Sequence, residues 1–145
     1  MYLDGEKLLR DYAEDIEVNG VWARALCREA EVVVVAAHAV YKEHIVLLID
    51  CLLVWSWMNS KVWSIAGDLS VEKALRELLN ICNLVKGEYI EVPYKLRLYR
   101  IVEMYLNKTV CDPFFCATLP NVLKYLFLMQ GSGKRIVDRL TRRSY

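Results

Sequence analysis

Two histidines, five cysteines and one acid inside an apolar run are the residues of this chain that could do chemistry, and their spacing decides which chemistry is open to them. Asp50 is preceded by Ile-Val-Leu-Leu-Ile and followed by Cys-Leu-Leu-Val, surroundings that desolvate a carboxylate and raise its pKa, as in many general acids. On a helical wheel it falls beside Lys42 and Glu43, so a partly exposed or ion-paired acid is the plainer expectation. His44 falls on the opposite, apolar side, where a histidine is usually a hydrogen-bonded core or interface residue. An enzyme using Asp50 and His44 therefore ranks third among the readings.

Other constellations fail on spacing. No C-x2-C pair is present, His38 and His44 are six apart, and Val35 and Tyr41 stand where a Glu-x-x-His motif needs glutamate, so no metal site is expected. Gly131-Ser132-Gly133-Lys134 lacks two parts of a phosphate loop, with Leu128 at the first glycine and Arg135 at the hydroxyl. No cofactor or small-molecule substrate is implied. Among the cysteines, Cys111 and Cys116 flank Asp112-Pro113 closely enough to form a candidate disulfide, and Cys27, Cys51 and Cys82 read as buried free thiols.

Lys134, Arg135, Arg139, Arg142 and Arg143 crowd ten residues of a chain whose net charge is only +1. With Ile136, Val137 and Leu140 they form an amphipathic final helix, and Val122–Met129 before it gives a partial helix-turn-helix outline. Its cations would contact phosphates of DNA or RNA, or else complement the helix's own dipole. Trp55, Trp57 and Trp63 cluster at the end of the apolar segment. Trp55 and Trp57 point to different sides of a helix, so they are candidate anchors of an interface.

The elements that would position these residues read as mainly helical. A first helix over 4–17 ends at Asn19-Gly20. From Val21 to Ile65, a polar stripe of Arg24, Arg28, Glu31, His38, Lys42, Asp50 and others covers about half a wheel. That pattern predicts a long apolar central helix, or two nearly collinear ones broken near Lys42–His44. The run Val32–Val35 could be strand by propensity but lies within the helical stripe. Ser70 caps a helix that stops before Gly87, and 88–92 is the one further strand candidate. A helix over 94–107 buries Leu98, Ile101, Val102, Tyr105 and Leu106. A packed loop over 109–119 follows, and a helix from Pro120 is capped by Thr118.

The whole is expected to be one all-α domain over 1–145, a compact bundle of five to six helices around the central one. Its apolar runs are shorter than the ~20 residues of a membrane span, so no membrane partner is expected. The start MYLDGEKLL carries acids where an export signal has a basic leader, and five cysteines at irregular spacing do not suit a secreted framework; a cytoplasmic address follows. A single Gln and few Thr give a thermophile-like composition. The 56% hydrophobic content, with the tryptophans, points to a homo-oligomer or a heteromeric subunit. Two functions lead: a non-enzymatic subunit of a nucleic-acid-handling assembly, or a protein-association module with no such ligand.

Overall fold

The computed structural model describes residues 3–128, with side chains through position 120. It is mainly helical, with seven α-helices, one π-helical turn and two small two-stranded sheets among the described residues.

Helix α1 (Gly5–Tyr12) starts at Asp4, whose carboxylate accepts from the backbone N–H groups of Glu6 and Lys7. It ends five residues before the expected position. Ala13 turns to extended backbone, and β1 (Ala13–Val18) pairs antiparallel with β2 (Val21–Leu26). Asn19-Gly20 is thus a hairpin turn rather than a helix stop. Both residues have positive φ, 54° and 80°, as a two-residue loop matching the strand twist requires. One hairpin face carries Ile16, Val18, Val21 and Ala23, and the other carries the cross-strand pairs Asp15–Arg24 and Glu17–Trp22.

The expected long central helix is divided into several elements. Helix α2 (Arg28–His38) contains the four valines, and its Ala30, Val32, Val33, Ala36 and Ala37 are buried. The chain then widens into a π turn (Ala39–Glu43), reaches His44 at φ 58°, and forms the short β3 (Ile45–Val46). A non-glycine residue in the left-handed region ends helical propagation, which periodicity alone does not reveal. Helices α3 (Leu48–Trp57) and α4 (Ser60–Asp68) follow, the latter capped by Asn59.

Helix α5 (Glu72–Lys86) buries Ala74, Leu75, Leu78, Ile81 and Cys82 at helical spacing, as its sequence predicts, and stops at Gly87. Its N-cap is Val71 instead of Ser70, which takes φ 55° in the preceding turn. Helix α2 packs against α3, α4 and α5 together. No strand forms at 88–92. Glu88 has φ 59°, and the pairing strand is β4 (Tyr94–Lys95), placed opposite β3 after the cis Val92–Pro93 bond.

Helix α6 (Leu98–Cys111) turns a different face inward from the one its sequence suggests. Ile101, Met104 and Lys108 are buried, whereas Leu98, Val102 and Leu106 are exposed. The stretch 109–119 is helical: α6 runs to Cys111, and α7 (Pro113–Leu128) begins after one residue and continues through Pro120. Asp112 is its N-cap, with Oδ1 accepting from the N–H groups of Phe114 and Phe115 at 3.0 and 3.1 Å, and Pro113 occupies the first helical position. Thr118 caps nothing; its hydroxyl donates to the Phe115 carbonyl.

Candidate functional site

A cleft of about 370 Å³ lies where α2, the π turn, β3 and α3 meet. Val34, Val35, Ala39, Ile45 and Leu47 make its walls. His38, Glu43 and Asp50 supply its polar groups. The π turn brings residues five apart onto one side, so that Glu43 Oε1 lies 3.3 Å from His38 Nε2. Lys42 stands 3.8 Å from the same oxygen, beyond hydrogen-bond range.

Asp50 is fixed by the start of α3, where its Oδ2 accepts from the Leu47 N–H at 2.8 Å. Burial pushes this carboxyl above the usual carboxylate range, while the Leu47 hydrogen bond and nearby His38 pull the other way. Asp50 thus faces His38 in the cleft. His44 is placed elsewhere, with its ring 6.1 Å from that of Tyr105, while its carbonyl accepts from the Leu96 N–H at 2.9 Å. The Asp50/His44 pair of the enzymatic reading is not brought together. Among the described residues, no group of three His, Cys, Asp or Glu side chains could hold a metal ion, and no helix is long and apolar enough to cross a membrane.

The three tryptophans have different surroundings. Trp63 is half-buried under the Arg76 guanidinium, 5.5 Å from the ring centre, and Trp57 is half-buried with Arg28 over it at 5.8 Å. Trp55 is 37% exposed, and it shares one side of α3 with Leu48, Leu52 and Ile49, the last 61% exposed. Positions 48, 52 and 55 follow helical spacing, so these side chains form a stripe, while Cys51 and Val54 face the core with no exposure. The exposed side of α6 is flanked by Arg100 and Glu103; the α3 stripe has no charged residue within it.

The expected Cys111–Cys116 bridge does not form: both are exposed free thiols, and buried Cys27 is also free. The disulfide instead joins Cys51 in α3 to Cys82 in α5, with Cα atoms 5.1 Å apart. Lys134, Arg135, Arg139, Arg142 and Arg143 lie outside the described residues.

Sequence reasoning also missed Lys108, whose side chain has no exposure. Its Nζ donates to the carbonyls of Leu69 and Ser70, each at 3.0 Å, and lies 2.6 Å from Asp112 Oδ2. The ammonium thereby ties α6 and the start of α7 to the turn between α4 and α5. The only hint in the sequence is the i,i+4 spacing of Lys108 and Asp112, with the acid just before a proline.

No protein-family model, curated protein or solved structure matches the chain.

Proposed function

We propose that this protein is a non-catalytic association subunit that docks on a second copy of itself through α3. The observation that carries this reading is the exposed stripe Leu48, Ile49, Leu52 and Trp55. A twofold interface sets a surface against itself, and an uncharged stripe does so without opposing like charges. The net charge of +1 adds little long-range repulsion between copies. Helix α3 is held in place by its buried side and by the bond to α5, so the stripe is presented with little ordering cost.

Light scattering over a concentration series tests it. Wild-type protein is expected as a dimer, and Leu52→Glu as a monomer, because a carboxylate buried without a partner raises the dissociation constant about a hundredfold or more. Leu52 is 46% exposed, so the variant monomer should differ in folding stability by about 0.5 kcal/mol or less. A wild-type protein monomeric at every concentration removes the reading.

The five basic residues between 134 and 143 favour a second reading, in which the assembly also contacts DNA or RNA. Four phosphate contacts give a logarithmic salt slope of about −3 to −4. Replacing Arg139, Arg142 and Arg143 with Gln should flatten it, as measured by titration of single- and double-stranded oligonucleotides. Equal slopes for the two proteins, or no binding at low salt, would remove that contact.

A further inference from the structure

We propose that the cleft between α2 and α3 binds a small organic cation carried on an apolar body, of the primary alkylammonium class. Its volume of about 370 Å³ is at the lower end of ligand pockets and equals the space of about a dozen waters, so the ligand has about a dozen heavy atoms or fewer. Val34, Val35, Ala39 and Ile45 offer that body a dry surface.

The polar groups select the charge. Of the two acids, Glu43 already lies 3.3 Å from His38 Nε2 and 3.8 Å from Lys42 Nζ, so Asp50 is the one left without an ion pair. Among the described residues no lysine or arginine forms an ion pair with Asp50, and its hydrogen bond from the Leu47 N–H uses Oδ2. The bond to Leu47 explains Asp50 as a cap of α3, but it uses one carboxylate oxygen and supplies no cation beside the apolar hollow. Burial works against the ionised Asp50 carboxyl, and a bound ammonium offsets that cost while donating charge-assisted hydrogen bonds. An anion would meet the Asp50 carboxylate, and a neutral ligand leaves that carboxylate as poorly compensated as before.

The test uses three six-carbon probes that differ in charge: n-hexylamine, 1-hexanol and hexanoate. Binding is followed by methyl chemical shifts of the full-length protein. Hexylamine is expected to shift the Val34 and Val35 methyls and to bind about tenfold or more tightly than either competitor. Asp50→Asn keeps an oxygen for the Leu47 N–H and should weaken hexylamine about tenfold or more while leaving hexanol unchanged. Glu43→Gln, which caps no helix, should weaken it several-fold and serves as the deciding variant if Asp50→Asn does not fold. Repeating the titration on Leu52→Glu separates this site from self-association, since the cleft does not require a dimer. Hexylamine binding no tighter than hexanol, shifts that bypass both valines, or an undiminished affinity in the folded acid variants overturns the proposal.

Discussion

Lys108→Met is expected to destabilise the protein by about 3–5 kcal/mol, although it exchanges one unbranched side chain for another. The loss does not come from packing. Without the ammonium, the Asp112 carboxylate loses its cation in a site only 12% exposed, and the Leu69 and Ser70 carbonyls lose their shared donor. Removing one member of a buried pair costs far more than removing both, because the remaining charge stays desolvated. Lys108→Met combined with Asp112→Asn should therefore recover part of the loss, since asparagine still accepts from Phe114 and Phe115. Urea denaturation at a common m-value measures both variants. A single variant within 1 kcal/mol of wild type would show that the buried ammonium contributes nothing. The wild-type pair also predicts an acid limb. Burial alone would raise the Asp112 carboxyl, but hydrogen bonds from Lys108, Phe115 and Phe114 outweigh it and hold it below the usual range. Its folded pKa is depressed, so its contribution is complete above the unfolded value of about 3.9 and is lost as pH falls through the folded value. The double variant should lose less stability over that interval.

Loss of the Cys51–Cys82 bond, by reduction or by paired alanine substitution, is expected to cost about 3–4 kcal/mol. The bond closes a separation of 31 residues, and the loop-closure entropy it removes from the unfolded chain is of that size. Thiol titration of denatured, unreduced protein should find three reactive groups, from Cys27, Cys111 and Cys116, and five after reduction. Denaturation curves with and without reductant then measure the stability difference. Five thiols before reduction, or superposed curves, would contradict the assignment.

Helix α5 was legible in the sequence because its propensity, period and terminal glycine agree, and Val32–Val35 are helical between Arg28, Glu31 and His38, which keep helical spacing within α2, whereas Arg24 of the same polar stripe lies in β2. Elsewhere a local signal was correct but assigned to the wrong element. Asn19-Gly20 marks a chain reversal in both helix and hairpin readings, and the weak alternation in Ala13–Val18 was overridden by the apolar spacing before it. The helix start marked by a capping side chain and a proline is at Asp112-Pro113, not at Thr118 and Pro120. Other features were not local at all. Which cysteine meets which depends on how α3 and α5 pack, and the burial of Lys108 depends on carbonyls nearly forty residues away. In the cleft, Asp50 stood out from its neighbours, but its companion His38 became visible only once the chain widened at Ala39–Glu43.

That widened turn acts as a phase shifter in the chain. A π turn holds one residue more than the α-helical path it replaces, so the residues that close it are set back by about 100° relative to an unbroken helix. The extra residue gives Glu43 the same bearing as His38, where an ordinary helix would separate them widely around its circumference. Shortening this segment by one position would leave every side chain of the cleft in the sequence and still dismantle the cleft, because its composition would survive while its alignment would not.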